Sequence, residues 1–408
     1  DPRDGRLARR LVDAGLAHPL FDSGPYRAAD VTLVVPVKDN AAGLAALLAN
    51  TAEMADRIVV DDGSATPLPQ ATLRNPAPRG PAAARNSGWR LAAGELVAFL
   101  DSDTVPEPGW LDTVLPLFAD PQVAAVAPRV RTGPGSTALG STALGSTALG
   151  RYETDRSSLD MGAEPAAVRP LSRVSYVPTA ALVVRRSALA AAGGFDERLR
   201  FGEDVDLVWR LVARGQTVRY QPAAVVWHAA RPGLRAWLRQ RYDYGTSAAP
   251  LSARHPDKLC PVRMSRWSAA AWALAAAGHP LAGLAVAAVT AGLLPRKLRG
   301  RGLPSAASLG LAARGHLGAG RLLADAVRRT WWPIALLSPF GRRVLLASLL
   351  PCLIAAAGRP HDLDRLRWAA LRIADDLAYG AGVWAGCLRH RTLRPLRPRF
   401  AEWPGRSG

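Results

Sequence analysis

Cysteine is nearly absent: Cys260, Cys352 and Cys387 are the only three in 408 residues. They lie far apart, with no Cys-x-x-Cys, which argues against a zinc site or a disulfide framework and fits a reducing cytoplasm. Acidic residues are scarce where basic ones are plentiful. From Leu259 onward there are 22 Arg and Lys against 6 Asp and Glu, so +16 of the net charge of +19 lies beyond that point. Such asymmetry predicts an anionic partner for the C-terminal part. The chain also shows no signal-peptide run at its start, because Arg3, Asp4, Arg6, Arg9, Arg10 and Asp13 interrupt any apolar stretch. Residue 1 is Asp, and the native start is expected upstream. Residues 6–17 suit an amphipathic helix with Leu7, Leu11 and Ala14 on one face, expected as the tail of a preceding module. An apolar content of 49% excludes wholesale disorder, and the length suits two or three domains.

What is present is a series of short apolar runs separated by helical patterns. Val31–Val37, Ile58–Val60 and Leu96–Leu100 read as buried strands, with helices over Leu44–Ala55 and Pro81–Ala93. This alternation predicts an α/β domain with a doubly wound parallel sheet covered on both faces. Gly135 to Leu149 is the pentapeptide Gly-Ser-Thr-Ala-Leu three times over, expected as a low-complexity surface loop. Ala180–Arg185 then reads as a strand and Asp204–Ala213 as a helix, followed by two short strands, Thr217–Tyr220 and Val225–Trp227. Beyond Arg266 the character changes. Ser268 to Pro295 contains no Asp, Glu, Lys or Arg, and Trp331 to Gly358 is interrupted only by Arg342 and Arg343. Flanked by Trp, Arg and Lys, these segments suit contact with a membrane; the alternative is an Ala-rich soluble bundle.

Chemistry concentrates at strand ends. Asp101-Ser102-Asp103 closes the run Leu96–Leu100, putting two carboxylates at the carboxyl end of a strand, where open sheets bind ligands. Hard oxygen donors of this kind suit a divalent cation whose shell a diphosphate completes. Asp61-Asp62-Gly63-Ser64 follows the second strand, and carboxylates there can accept hydrogen bonds from a nucleobase or a ribose. Gly80-Pro81-Ala82-Ala83-Ala84-Arg85-Asn86 opens a helix and carries Arg85 and Asn86 one turn in, able to reach back toward the Asp cluster. Gly202-Glu203-Asp204-Val205-Asp206 starts another helix, whose dipole would favour an ionised carboxylate, as a general base requires. His228 ends a strand and suits a metal through one imidazole nitrogen. Taken singly, these read as an Asp-Gly turn, a capped surface helix, an acidic N-cap and a structural histidine. Their joint order is the informative feature.

That order resembles the family 2 glycosyltransferases, over roughly residues 30–245. Val177–Arg186 and Tyr244–Leu251 add a resemblance to the mycofactocin-system branch of actinobacteria. The resemblance implies a GT-A fold: a Rossmann-like mixed, mostly parallel sheet with helices on both faces, followed by a helical, apolar and basic C-terminal region. The implied organisation is an N-terminal segment 1–29, a transferase domain 30–260 with its loop at 135–150, and a region 261–408 at the cytoplasmic side of the cell membrane. The implied donor is a UDP-sugar, with Asp61 or Asp62 on uracil and ribose, Arg85 against the nucleotide, and Asp101 at the ribose or metal. Asp103 and His228 would bind Mn²⁺ or Mg²⁺, Asp204 would be the base, and Gly194, Phe195 and Glu203 would shape the acceptor side. The implied reaction is inverting transfer of a hexose, glucose by resemblance, to a peptide-derived cofactor or glycan acceptor, with an anionic membrane surface as further partner.

Three rival readings fit parts of the sequence. A cell-envelope glycan or glycolipid transferase would share the site, but the Gln-x-x-Arg-Trp of processive synthases is absent, the stretch reading Arg239-Gln240-Arg241-Tyr242. A sugar nucleotidyltransferase needs a Gly-rich loop after its first strand, where Lys38-Asp39-Asn40-Ala41-Ala42-Gly43 stands. An inactive basic protein binding membrane or nucleic acid accounts for the charge, but every expected catalytic position is filled and no nucleic-acid motif accompanies the arginines.

Overall fold

The computed structural model describes residues 2–21, 23–133, 147–231, 233–298, 304–358 and 363–400, in two compact units, 1–237 and 238–408. Unit 1 opens with α1 (Pro2–Ala14). The chain then alternates through β1 (Val31–Val37), α2 (Ala41–Ala49), β2 (Arg57–Asp61), β3 (Leu73–Arg74), α3 (Pro81–Trp89), β4 (Leu96–Leu100), β5 (Thr104–Pro106) and α4 (Trp110–Val114). It continues through β6 (Val123–Arg131), α5 (Ala148–Arg156), β7 (Ala166–Ala167), β8 (Ala181–Arg185), α6 (Arg186–Ala192), α7 (Glu203–Ala213) and β9 (Thr217–His228). The pentapeptide repeat lies outside the described residues as far as residue 146; Thr147 caps α5 by accepting from the Gly150 N–H.

One sheet gathers all nine strands in the order β3-β2-β1-β4-β8-β6-β9-β5, with β7 on β9. β1 pairs in parallel with β2 and β4, so Val37, Asp61 and Leu100 finish at one edge. β1 and β4 are buried almost throughout, as continuous apolar runs covered on both faces should be. β8 enters antiparallel between β4 and β6, which makes the sheet mixed rather than purely parallel. The two short strands expected after α7 are one strand, β9. Its pairing with β6 jumps from Pro128↔Gln221 to Arg129↔Val225, so Pro222, Ala223 and Ala224 bulge out and interrupt the alternation that sequence reading relies on. β5 runs antiparallel to β9 with Thr104 opposite His228, which carries Asp103 to the end of β9.

The first two helices of the sheet domain are shorter than periodicity suggests, ending at Ala49 rather than Ala55 and at Trp89 rather than Ala93. α2 starts at Ala41, where the Asn40 side chain accepts from Gly43 N, and α3 stops at Trp89.

α8 (Leu234–Thr246) begins in unit 1 and continues into unit 2, which contains α9 (Ala248–Arg254), β10 (Arg263–Met264), α10 (Arg266–Ala276), α11 (Pro280–Leu298) and α12 (Ser305–Ala326). A π-helical turn, Val327–Trp331, leads to α13 (Trp332–Ala335), α14 (Pro339–Ala347), α15 (Leu350–Gly358), α16 (Arg365–Arg389) and β11 (Arg399–Phe400), which pairs with β10. The uncharged run expected after Arg266 is thus two helices broken at Gly278-His279. Unit 2 is held by buried ion pairs: Asp376 receives Arg328 Nε at 2.6 Å and Arg372 Nη1 at 3.1 Å. Two stretches, Pro280–Leu298 and Pro339–Gly358, are long and apolar enough to cross a membrane by length and composition.

Candidate active site

The β2 end holds two carboxylates with different surroundings. Asp61 is fully buried and accepts from Ser64 N at 2.8 Å and Arg74 Nη1 at 2.7 Å. Burial alone would raise its pKa, but the hydrogen bonds from Ser64 and Leu68 and the Arg74 charge outweigh it, and the carboxyl sits below its ordinary value. Asp62 accepts Asn75 Nδ2 (2.7 Å) and Arg79 N (2.9 Å) on Oδ1, and Gly80 N (2.8 Å) on Oδ2. A carboxylate offers about four acceptor positions, so one on Oδ2 is left over. These bonds also fix the turn into α3, where Gly80 takes φ 93°, a conformation open to glycine.

Arg85 projects from α3 with 3% exposure and grips two acidic groups at once. Its Nη2 donates to Asp101 Oδ1 at 2.7 Å and its Nη1 to Glu203 Oε1 at 2.8 Å, while the guanidinium lies 5.6 Å from the Phe195 ring centroid. Desolvation works against its charge, but Asp101 and Glu203 more than offset that, so it stays cationic. Phe195 is itself buried, edge-on to Phe99 at 5.2 Å between centroids, so its ring backs Arg85 and offers no open acceptor surface. Asn86 does not reach the Asp cluster as expected. It turns to Phe195 and Glu197, since helical geometry places successive residues on different faces.

The Asp101–Asp103 turn is held by Asn40, whose Nδ2 donates to Ser102 O at 3.1 Å and Ser102 Oγ at 3.2 Å. Asp103 Oδ1 lies 3.5 Å from His228 Nε2, and its Oδ2 lies 3.6 Å from Arg231 Nη1. An oxygen and an imidazole nitrogen each ~2.1 Å from one cation would lie about 3–3.5 Å apart, so this pair fits a shared divalent ion. Among the described residues no cluster of three or more His, Cys, Asp and Glu side chains forms a ready-made metal shell. A cation here would need further oxygens from a ligand or water.

α7 begins after Gly202, at φ 79°. Asp206 is tied to Arg210 Nε at 2.7 Å, and Asp204 Oδ1 accepts from Val205 N at 2.7 Å. The expectation that the helix N-terminus would favour ionised Asp204 is reversed. Burial and the neighbouring Glu203 charge push its pKa up to about 7, against the opposing pull of the Val205 N–H and Arg85. Gly194 is buried at φ 72°, with its carbonyl accepting from Arg210 Nη2 at 2.7 Å.

The structure thus brings Arg85, Asp101, Glu203 and Phe195 together, and pairs Asp103 with His228. Sequence reading missed Asn40, Arg74, Asn75, Glu197 and Arg231. Arg210 was visible as the i+4 partner of Asp206; the others are joined only by the fold.

Residues 23–242 match the family described as Glycosyltransferase like family 2. The chain belongs to that family. It is a glycosyltransferase, with the expected mixed α/β sheet and helical C-terminal region. It is 41% identical to the pre-mycofactocin glycosyltransferase of Mycobacterium tuberculosis, over 98% of this chain and 88% of that protein. The probable glycosyltransferase YdaM of Bacillus subtilis is 25% identical over 40% of this chain and 37% of its own. Among solved structures, the mannosyltransferase PcManGT of Pyrobaculum calidifontis, in complex with GDP-Man and Mn²⁺, is 22% identical with a TM-score of 0.42, covering 76% of this chain and 92% of that one.

Proposed function

We propose that this glycosyltransferase moves glucose from UDP-glucose, with inversion, to a hydroxyl of a mycofactocin precursor. The acceptor class is supported by the 41% identity over 98% of the chain to a pre-mycofactocin glycosyltransferase. The observation that carries the mechanism is the Arg85 bridge, which joins Asp101 at the Asp-Ser-Asp turn to Glu203 beside Asp204.

On this reading Asp204 Oδ accepts the proton of the attacking hydroxyl, and its raised pKa gives it the basicity to do so near neutral pH. Arg85 holds Asp101 toward the donor and partly balances the negative charge around the base. Asp62, with its spare acceptor position, serves the uracil or ribose better than the enclosed Asp61. Asp103 and His228 would hold Mn²⁺ or Mg²⁺. When bound there, the cation supplies Lewis-acid stabilisation of the leaving diphosphate. Attack opposite the leaving group in one displacement turns an α-linked donor into a β-glucoside.

Unit 2 meets an anionic membrane surface on its cytoplasmic side. Leu281 is 81% exposed and Leu284, Val289, Leu346 and Leu350 are exposed as well, with Arg296, Lys297, Arg342 and Arg343 close by in sequence. Basic residues near acidic headgroups are worth about 1 kcal/mol each.

The test is UDP release from UDP-glucose with pre-mycofactocin, with Mn²⁺ or EDTA and with GDP-mannose as control. Metal-dependent release from UDP-glucose alone is expected; release from neither donor overturns the reading. Flotation with phosphatidylglycerol vesicles but not phosphatidylcholine vesicles is expected, and equal recovery with both counts against the membrane assignment.

A further inference from the structure

Asn86 stands beside Arg85 on α3, 1% exposed, with no part in the steps above. Its carboxamide is used to capacity. Oδ1 accepts from Phe195 N at 2.9 Å and Trp89 Nε1 at 3.0 Å; Nδ2 donates to Phe195 O at 2.8 Å and Glu197 Oε1 at 2.9 Å. Two donors and two acceptor positions are all that such a group has. Pairing with both the N–H and the C=O of Phe195 imitates a strand partner, and the bonds to Phe195 and Glu197 span 109 and 111 residues of sequence.

The clamped segment, Gly193 to Glu197, leads through Arg198 and Arg200 to Gly202 and the helix that bears Asp204. It is gripped from that helix too, since Arg210 donates to the carbonyls of Ala192 and Gly194 while its Nε holds Asp206. A Cβ on Gly194 would stand 2.5 Å from Asn86 Oδ1, so the approach has no slack. Glu197 adds a third tie, receiving Arg79 Nη2 at 2.7 Å. The donor side has fastenings that do not use Asn86: Asp62 on the Arg79 and Gly80 N–H groups, and Arg85 on Asp101, with the same Arg85 tying Glu203 at the start of α7 to α3.

We propose that Asn86 is a positioning residue for the acceptor side of the transfer, clamping the loop before the base helix onto α3. The inference rests on the reading of Asp204 as the base. Loosening the clamp frees from α3 the loop that leads into α7, while the donor-side fastenings and the Arg85–Glu203 tie stay in place. Misplacement by an ångström costs transfer far more than it costs donor binding.

The test uses the full chain with Asn86→Ala, and Asn86→Asp as the isosteric variant that keeps Oδ1 but loses both donors beside Glu197. Without substrates, tryptic cleavage at the exposed Arg198 and Arg200 is followed. With UDP-glucose and pre-mycofactocin, donor and acceptor kinetics are separated. Cleavage at those two sites is expected to quicken about tenfold, and kcat/KM for pre-mycofactocin to fall about tenfold or more, with KM for UDP-glucose and acceptor-free hydrolysis within about twofold of the parent. Gly194→Ala should give the same pattern from the other side of the contact. Unchanged cleavage overturns the clamp. Equal loss of donor and acceptor parameters with a lower melting temperature overturns the positioning role, because general unpacking would produce that. A parent enzyme inactive on pre-mycofactocin refutes the functional reading instead, and the proteolysis still decides the clamp.

Discussion

Replacing Asp204 by Asn should abolish transfer and make the protein more stable, and the gain should depend on pH. Asn keeps the size of the side chain and an oxygen for the Val205 N–H, but removes the ionisable group. Asp204 is raised from 3.8 to about 7 in the folded chain, by burial first and by Glu203 second. A carboxyl whose folded pKa lies above its unfolded value binds more protons when folded. Below pH 4 it is neutral in both states and costs nothing. Between about 4 and 7 the unfolded chain ionises and the folded one does not, so stability falls as pH rises; above 7 the penalty is complete. A shift of about three pKa units sets a ceiling of about 4 kcal/mol. Asp204 is only partly shielded from water and shares its environment with Glu203, which reduces the expected gain to about 2 kcal/mol at pH 8. In a unit of this size that is roughly 4–8 °C in melting temperature. The assay is thermal unfolding of parent and variant at pH 4.5 and pH 8, beside UDP release at pH 8. A gain equal at both pH values, or retained transfer by Asp204→Asn, would refute the reasoning. The parent's own rate should fall as the pH drops through about 7, because the carboxylate is the competent form.

Arg85→Met leaves Asp101 and Glu203 without their shared cation, and removing one partner of a buried pair costs about 3–5 kcal/mol. The melting temperature should drop accordingly, and the acid limb of any residual activity should move to higher pH. His228→Ala and Asp103→Asn should each raise the Mn²⁺ concentration for half-maximal UDP release about tenfold or more, with little change in melting temperature without metal. An unchanged requirement in both would remove the pair from the metal site. In unit 2, Asp376→Asn removes the buried charge shared by Arg328 and Arg372, leaving Arg328 on Asp325 and the Ser348 carbonyl, and should cost about 3 kcal/mol in chemical denaturation while unit 1 stays folded.

Much of the candidate site's placement in the fold was legible because its residues stand at strand ends and helix starts, where a short motif carries its own structural address. Asp101-Ser102-Asp103 follows a strand buried at every position, and Glu203-Asp204 follows Gly202, which caps the start of α7. The antiparallel entry of β8 was not legible, because an apolar run such as Ala181–Arg185 reads the same in either direction. Nor was β9 legible as one strand, since Pro222 and its bulge break the pattern locally while the pairing with β6 resumes beyond it. The harder losses are partnerships. Periodicity can say that Arg85 and Asn86 lie on adjacent faces of one helix, but not that one meets Asp101 and Glu203 while the other meets Phe195, 109 residues away. The direction of the Asp204 pKa shows why this matters chemically. Read locally, a helix N-terminus favours the carboxylate; once the fold partly shields the group from water beside Glu203, desolvation and like charge outweigh the dipole. On the proposed reading of Asp204 as the base, its poise near neutrality is therefore a product of tertiary packing, and substitutions at Glu203 should tune it as surely as substitutions at Asp204 abolish it.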